Sequence, residues 1–280
     1  MKISLVIPVY NEVDTLNECL KAISNQTKKP YEVIVVDNNS TDGSSVIANR
    51  YPLVKVINEK KQGVVHARTT GFNLAKGEIV ARIDADSILP KTWIETVQDI
   101  FDSNEVAAIS GSANYYGVSF ANIFNKIDLY FRKSLSRKLK DNLFLWGSNM
   151  AVRKDAWEDI KEYLCYTNGL HEDYDLAIHL QKFGYKVDFK SELVAAVSPR
   201  RIDNDYIKFM KYVWRCPNTY RKHNIKSIRK MMPIILTCGV FYLPGRILYR
   251  GYDKDKNEFS IYKLFTSQSL RRVDPTTNVV

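Results

Sequence analysis

The first half of the chain alternates short apolar runs, rich in β-branched residues, with longer amphipathic stretches. The short runs are apolar at consecutive positions, which is typical of strands covered on both faces of a sheet. They predict four strands, at residues 3–9, 32–37, 54–58 and 78–84. The stretches between them predict three helices, at residues 13–24, 42–50 and 64–75. This alternation predicts an α/β fold built on a doubly wound, mostly parallel sheet.

The second half of the chain is less regular. Its pattern predicts a strand at residues 106–115, an extended segment at 144–152, and helices at 121–139, 172–183 and 206–223. The most apolar stretch, residues 231–248, lacks the ~20 uninterrupted apolar residues of a membrane-spanning helix. It also contains Pro233 and Pro244, which are expected to break a helix. This stretch is therefore either a buried core segment or an element at a membrane interface.

Positive charge is concentrated in one segment of the chain. The formal net charge is +10 at pH 7, and residues 200–250 hold twelve Lys and Arg against two Asp, while the rest is balanced. An anionic partner is expected at this segment. Eight of the twelve interleave with aromatic residues: Lys208, Lys211, Arg215, Arg221, Lys222, Lys226, Arg229 and Lys230. An anionic membrane surface suits this pattern, and a solvated helix face explains it equally well.

The cysteines and the N-terminus indicate in which cellular compartment the protein is expected. Cys19, Cys165, Cys216 and Cys238 are scattered and form no C-x-x-C pair, which is typical of free thiols in a reducing cytosol. The N-terminus runs directly into an apolar strand, so no signal peptide is predicted. We expect a cytoplasmic protein, peripheral at the inner face of the plasma membrane.

Polar loops follow all four strands predicted in the first half, at residues 8–12, 37–42, 61–63 and 84–86. In open α/β sheets, ligands bind outside the carboxyl ends of the strands, so these loops are expected to converge on one site. Neither G-x-G-x-x-G nor G-x-x-x-x-G-K-[ST] occurs, which excludes a dinucleotide fingerprint and a P-loop.

The Asp-x-Asp pattern occurs at residues 84–86, 173–175, 203–205 and 253–255, so the pattern alone carries little information. The third pair opens a predicted helix, and the fourth lies in a charged stretch expected to be a solvated loop. Asp84 and Asp86 differ because they terminate a buried apolar strand, where two carboxylates repel unless a cation compensates them. They predict a site for Mg²⁺ or Mn²⁺ that would bridge a diphosphate. The histidines have no H-x-H or H-x₃-H spacing that would indicate zinc.

Five stretches, in order, resemble the family 2 glycosyltransferases, which have a Rossmann-like GT-A fold. They are LVIPVYNE, EVIVVDNNSTD, GVVHARTTGFNLAKGEIVARIDADS, WGSNMAVRKDAW and HEDYDLAIHLQKFGYKV, within residues 2–190. The resemblance implies a GT-A catalytic domain at residues 1–198 and a helical, membrane-proximal extension at 199–280. It further implies an inverting transfer from a nucleotide-diphosphate sugar, with a UDP-sugar favoured because UDP is common in the family. The acceptor would be lipid-linked or a glycan, and no nucleic-acid partner is expected.

The resemblance also implies roles for single residues. The nucleotide-binding set is Pro8, Tyr10, Asn11, Glu12, Asp37, Asn39, Arg68 and Asp84. The metal would be held by Asp86 and Asp84, and the pocket for sugar and acceptor would be lined by Trp146, Gly147 and Ser148. Glu172 and Asp173 match the catalytic acidic pair, whose second member is the general base.

Some alternatives stay open on the residues alone. Glu172 and Asp173 also suit a helix N-terminus, where acids interact with the dipole, and Asp175 is a rival base. Processive members of the family carry Gln-x-x-Arg-Trp, which this chain lacks, so single-sugar transfer is expected. A sugar-nucleotide nucleotidyltransferase needs a Gly-rich loop with Lys or Arg after the first strand, and VYNEVDT offers neither. A non-catalytic nucleic-acid-binding module fits the pI of about 9.2 but leaves the acidic motifs unexplained.

Overall fold

A computed structural model describes residues 1–103, 105–139, 143–226, 229 and 231–266. Three parts of the predicted C-terminal extension, residues 227–228, Lys230 and the segment from residue 267 onward, lie outside the described residues.

Seven strands form one sheet. They are β1 (Ile3–Val9), β2 (Glu32–Asp37), β3 (Val54–Asn58), β4 (Ile79–Ile83), β5 (Ala108–Tyr115), β6 (Asn149–Arg153) and β7 (Val187–Val197). Their order is β3-β2-β1-β4-β6-β5-β7, in which β6 runs antiparallel to both neighbours and all other pairs are parallel. The predicted α/β class with a mostly parallel sheet is confirmed.

Helices cover both faces of the sheet. They are α1 (Leu16–Ser24), α2 (Ser44–Ala48), α3 (Val64–Leu74), α4 (Trp93–Ser103), α5 (Ala121–Leu139), α6 (Lys154–Ile160), α7 (Glu172–Lys182), α8 (Tyr206–Lys222), α9 (Met232–Arg250) and α10 (Ile261–Thr266). Strand β1 shows the two faces: Leu5 and Ile7 belong to one apolar cluster with α1 and α4, while Val6 belongs to a second with α3, α6 and α7. The sheet is therefore doubly wound, as predicted.

Two of the predicted boundaries that differ from the structure have a clear local cause. The first helix begins at Leu16 rather than at residue 13, because the Glu12 carbonyl accepts the N–H groups of Thr15 and Leu16 in a turn. The extended segment predicted at 144–152 is a strand only from Asn149 onward. Before it the chain turns, with the Asn149 N–H donating to the Trp146 carbonyl at 3.0 Å. This turn brings residues 146–148 to the edge of the sheet.

The apolar stretch at 231–248 is one helix, α9, so the prediction that its prolines break a helix is wrong. Pro233 stands in the first turn, where a backbone N–H has no hydrogen-bond partner within the helix, so its absence in proline costs nothing. Pro244 lies inside the helix. No helix in the described part of the chain is both long and apolar enough to cross a bilayer.

Helix α9 has a buried and an exposed apolar side. Ile235 and Tyr242 are buried, whereas Leu236, Val240 and Phe241 are each more than 60% exposed. One side of this stretch is therefore core, and the membrane-interface alternative stays a prediction for the exposed side.

The third and fourth Asp-x-Asp pairs each split into a buried and an exposed member. Asp205 caps α8 by accepting the Lys208 N–H at 2.9 Å, as expected at a helix start. Asp203 is instead fully buried and accepts from Arg250 Nε at 2.5 Å. Asp253 is also buried, in a hairpin of β8 (Tyr252–Asp253) and β9 (Glu258–Phe259), so the prediction of a solvated loop is wrong for this residue.

Candidate active site

A cleft with about 840 Å³ of empty space opens at the carboxyl ends of β1 and β4. Its walls come from the strand-end loops, from the 146–148 turn, from the start of α7 and from α8. The predicted site residues that line it are Pro8, Tyr10, Glu12, Asp84, Trp146, Gly147, Ser148, Glu172 and Asp173. Segments far apart in the sequence therefore meet at one edge of the sheet, where open α/β sheets bind ligands.

Five other predicted site residues lie beside this lining and not in it: Asn11, Asp37, Asn39, Arg68 and Asp86. Two of them fix the loops after β1 and β2. Asn11 Oδ1 accepts the Thr41 N–H at 2.8 Å, and Asp37 Oδ1 accepts the Ser40 N–H at 3.0 Å. Asn11 has a φ of 53°, in the left-handed region where Asn is tolerated. Nucleotide binding by these residues stays a prediction.

Of the two neighbouring asparagines after β2, the described cleft lining includes Asn38 and not Asn39. Asn39 Nδ2 donates to the Lys60 carbonyl at 2.8 Å, away from the cleft. Asn38 Oδ1 accepts the Gly63 N–H at 2.7 Å and so fixes the start of α3. The sequence offered no signal that separates the two asparagines.

Arg82 is an arginine inside a buried strand, and it joins three parts of the cleft. Its Nη1 donates to Glu172 Oε1 at 2.7 Å, and its Nη2 lies 3.3 Å from Asp84 Oδ1. A Cβ built on Gly147 would lie 2.3 Å from Arg82 Nη1, so a side chain there would have to displace the guanidinium or the turn. Arg82 was not among the predicted site residues, although a lone arginine in an apolar strand two residues before Asp84 was a visible signal.

The acidic pair at the start of α7 has two distinct environments. Burial alone would raise the pKa of Glu172, but Arg82 and Arg68 together hold that pKa well below its usual range. Burial and the neighbouring Glu172 carboxylate raise the pKa of Asp173 to about 7. Two adjacent carboxyl groups with separated pKa values are typical of acid–base sites.

Asp173 is held in place by backbone donors. Its Oδ2 accepts the Gly147 N–H at 2.8 Å, and its Oδ1 accepts the Tyr174 N–H at 3.0 Å. Arg68 is completely buried, and its Nη1 donates to the Glu172 carbonyl at 3.2 Å. Arg68 therefore supports the acidic pair from beneath, whereas it was predicted to contact the donor.

Glu12 and Asp86 are both buried, and one arginine pairs with both. Arg200 Nε donates to Asp86 Oδ2 at 2.9 Å, and Arg200 Nη2 donates to Glu12 Oε1 at 2.6 Å. Arg200 begins a 3₁₀ turn (Arg200–Asp203) that directly follows β7. Arg200 belongs to the basic segment that was predicted to meet an external anion, but its charge is paired inside the protein.

The extension also supplies cleft residues that the sequence analysis did not assign to the site. Arg201, Tyr212 and Arg215 line the cleft, and the Arg201 guanidinium lies 3.6 Å from the centre of the Tyr212 ring. His171 completes this side, and burial lowers its pKa to about 4, so it is neutral at physiological pH. The interleaved basic and aromatic residues of this segment were visible in the sequence, but only the fold shows which face the cleft.

Asp84 and Asp86, the two predicted metal ligands, form ion pairs with different arginines, Arg82 and Arg200. Asp84 lies at the cleft, while the carboxylate of Asp86 is held by Arg200. Within the described residues, two clusters offer three or more close ligand atoms, His171–Glu172–Asp173 and Cys165–Asp175–His179–His223, and neither contains Asp84 or Asp86. Mg²⁺ typically takes one or two carboxylates together with substrate phosphates and water. The residues fit a hard cation held by Asp84 and the oxygens of a bound diphosphate.

The doubly wound sheet, with a polar cleft at the carboxyl ends of its parallel strands, has the GT-A architecture. A sequence profile described as Glycosyl transferase family 2 matches residues 4–161, and the chain belongs to this family. It is therefore a glycosyltransferase. The alternatives of a nucleotidyltransferase and of a non-catalytic nucleic-acid-binding module are wrong.

Curated relatives carry glycosyltransferase names. Glycosyltransferase AglE of Haloferax volcanii is 30% identical over 262 residues, which are 90% of this chain and 84% of that protein. The glucosyl-dolichyl phosphate glucuronosyltransferase of the same organism is 26% identical over 175 residues, which are 58% of this chain and 56% of that protein.

Solved structures share the fold. A mannosyltransferase from Pyrobaculum calidifontis in complex with GDP-Man and Mn²⁺ aligns with a TM-score of 0.59 at 21% identity, over 87% of this chain and 74% of that one. S. aureus TarS 1–349 in complex with UDP-GlcNAc aligns with a TM-score of 0.57 at 16% identity, over 90% of this chain and 80% of that one. Both support the GT-A architecture.

The Arg200 pairing generates a stability prediction. We expect Arg200→Met to lower the free energy of unfolding by about 3–5 kcal/mol, because Glu12 and Asp86 would be left buried without their counter-charge. Urea denaturation of the purified protein measures the change. Arg221→Met removes an exposed cation of α8 as the control and should cost below about 1 kcal/mol.

A triple variant separates charge from packing. Glu12→Gln/Asp86→Asn/Arg200→Met should lose less stability than Arg200→Met alone, because no isolated buried charge remains. Equal losses in both variants would show that Arg200 acts through packing and not through charge.

Proposed function

We propose that the protein transfers a single sugar from a nucleotide-diphosphate sugar to a lipid-linked or glycan acceptor, with inversion at the anomeric carbon. A UDP-sugar is the favoured donor. The observation that supports this best is Asp173, a cleft residue whose raised pKa and fixed orientation suit a general base. The solved relatives bound to GDP-Man and to UDP-GlcNAc support a sugar nucleotide as the ligand of this cleft.

The proposed reaction is one in-line displacement. The acceptor oxygen bonds to the anomeric carbon as the bond from that carbon to the diphosphate oxygen breaks, through an oxocarbenium-like state. The acceptor proton passes to Asp173, and the nucleoside diphosphate leaves as an anion. Gly147 orients the base through its N–H, and Arg82 keeps Glu172 ionised beside it. Arg201 and Arg215 bring positive charge to the same cleft.

The residues also support metal assistance. Asp84 would hold Mg²⁺ or Mn²⁺ together with donor oxygens, and Asp86 would join only by leaving Arg200. When bound, such an ion neutralises charge that develops on the departing diphosphate. The Pyrobaculum mannosyltransferase, a relative in fold, was solved with Mn²⁺.

Two features support a lipid-linked acceptor at the inner face of a membrane. One relative is named for a dolichyl phosphate substrate. The extension, in addition, carries exposed cations on α8 and the exposed apolar side of α9. Basic residues near an anionic leaflet contribute about 1 kcal/mol each, and apolar side chains add burial in the interface. We propose that residues 200–250 hold the enzyme against such a surface.

The base assignment predicts a loss of rate in Asp173→Asn. On an acceptor with a hydroxyl nucleophile, kcat should fall by about 10²–10⁴-fold, because the acceptor proton has no base to receive it. On a phosphate acceptor the loss should be small, since that nucleophile is already ionised. Radiolabelled donor transfer measures kcat, and ¹H NMR of the product reports the anomeric configuration.

Asp159→Asn is the matched control, an exposed aspartate of α6 that lies outside the described cleft wall. Its carboxylate accepts from the Tyr185 hydroxyl, so this change should leave kcat of the folded enzyme near wild type. Wild-type turnover by Asp173→Asn on a hydroxyl acceptor would disprove the assignment of the base.

The raised pKa of Asp173 predicts that kcat/KM falls on the acidic side of its pH profile, the acidic limb. With a hydroxyl acceptor, kcat/KM should fall as the pH drops below about 7, because Asp173 must be deprotonated to act as a base. Glu172→Gln removes the adjacent negative charge, which lowers the pKa of Asp173 and moves the limb to lower pH. The control Glu162→Gln, at an exposed site, should leave the limb unchanged. An unmoved limb in Glu172→Gln would contradict the proposed electrostatics.

The membrane proposal predicts charge-dependent liposome binding. The protein should sediment with phosphatidylglycerol vesicles and not with phosphatidylcholine vesicles, and added salt should weaken binding. Lys208→Glu/Lys211→Glu should weaken it by about tenfold or more. Lys55→Glu/Lys76→Glu makes the same charge change at exposed sites of the catalytic domain and should have little effect. Equal binding to both vesicle types would refute the proposal.

A further inference from the structure

A cluster of metal-ligand side chains lies outside the cleft, one turn further along α7. Its members are Cys165, Asp175, His179 and His223, and their ligand atoms all lie within 4.8 Å of one another. Asp175 and His179 stand on consecutive turns of α7, Cys165 is in the loop before that helix, and His223 ends α8. The cluster therefore joins α7 and the loop before it to the end of α8.

The contacts converge on the Asp175 carboxylate. His223 Nε2 lies 2.6 Å from Asp175 Oδ1, and His179 Nε2 lies 3.6 Å from the same oxygen. The Cys165 thiol is 4.0 Å from His223 Nε2. Both imidazoles thus direct the same ring nitrogen toward one carboxylate oxygen, with a sulfur beside them.

His179 provides a second observation. Its Nε2 is buried and has no hydrogen-bond partner in the described part of the chain. A buried polar atom without a partner is unfavourable by about 1–3 kcal/mol and is uncommon in native proteins. An ion at the centre of the cluster would give this nitrogen a partner.

We propose that Cys165, Asp175, His179 and His223 bind one Zn²⁺ ion as a tetrahedral site. One sulfur, two imidazole nitrogens and one carboxylate oxygen suit zinc, with bonds of about 2.0–2.3 Å. Such bonds place ligand atoms roughly 3.3–3.8 Å apart, so the cluster needs only small side-chain shifts. A thiolate and a carboxylate also cancel the charge of the ion, which a largely buried site requires.

Two changes accompany binding. Burial raises the pKa of the Cys165 thiol to about 11, so zinc must displace its proton to the solvent. Lys182 Nζ lies 3.0 Å from His223 Nδ1, and that nitrogen carries the imidazole proton once Nε2 binds a metal. Lys182 is exposed and must turn outward. Without a metal, the cluster is an ordinary hydrogen-bonded pair of Asp175 and His223.

The site would tie the extension to the catalytic helix. Helix α7 begins with Glu172 and Asp173, and α8 carries Tyr212 and Arg215, so the two helices form adjacent walls of the cleft. A zinc ion between them would act as a positioning element, distinct from any ion held with the donor diphosphate.

Cobalt substitution tests the site without reference to activity. The full chain, stripped with EDTA and titrated with CoCl₂, should show the visible bands of tetrahedral cobalt and a thiolate-to-cobalt charge-transfer band. Zinc should displace the cobalt at one ion per chain, measured by mass spectrometry of the gel-filtered protein. Near-saturating zinc should raise Tm by about 5–10 °C.

Matched variants locate the site. Cys165→Ser and His223→Gln should lose the charge-transfer band, the zinc-induced rise in Tm and at least about 100-fold in zinc affinity. Cys238→Ser, a cysteine of α9, and Asp84→Asn, in the cleft, should keep all three. A spectrum without thiolate ligation, or zinc affinity that is equal in Cys165→Ser and wild type, would overturn the proposal and leave only the Asp175–His223 pair.

Discussion

The cleft depends on two buried arginines that neutralise the carboxylates gathered around it. Arg82 pairs with Asp84 and Glu172, and Arg200 pairs with Glu12 and Asp86. Four carboxylates that would otherwise repel one another are held at the end of the sheet by these two guanidinium groups. A buried charge without a partner is strongly unfavourable. These ion pairs therefore hold the strand ends, the 146–148 turn and the extension in one relative position.

The remaining carboxylate of the site, Asp173, acquires its character from this arrangement. Burial raises the pKa of Asp173, and Glu172, kept ionised by its direct contact with Arg82, raises that pKa further. The close approach of Gly147 to Arg82 then brings a backbone N–H to Asp173. A side chain at residue 147 would either move the turn or displace the Arg82 guanidinium from its carboxylates, so glycine is favoured at this position.

The C-terminal extension completes the cleft and is packed into the catalytic part of the chain. Arg200 supplies the counter-charge for Glu12 and Asp86, and α8 supplies one wall. Apolar residues from both parts share a cluster, with Phe144 and Tyr174 on one side and Cys216 and Tyr220 on the other. The division at residue 198 stays a prediction about sequence organisation, and the site spans it.

Local physics made the sheet and its loops predictable from the sequence. Consecutive buried positions in β1, β2 and β4 produce apolar runs that are visible without any structure, and the topology of parallel strands requires their carboxyl-end loops to share an edge. Asp84, Glu172 and Asp173 were identified because they stand at the ends of such elements or match family motifs. Helix α9, by contrast, runs through Pro244 because a single proline is outweighed by the packing of Ile235 and Tyr242.

Only the tertiary structure decided which charges neutralise which. Arg200 is 114 positions from Asp86 and 188 from Glu12, and no periodicity or spacing encodes a pair formed over such distances. The same holds for Arg82 beneath Gly147, and for His223 beside Asp175. The sequence by itself determined the layered fold, the polar edge of the sheet and the excess of basic residues in one segment, because these follow from neighbours along the chain. The partners of the buried charges follow from packing, which exists only once the chain has folded.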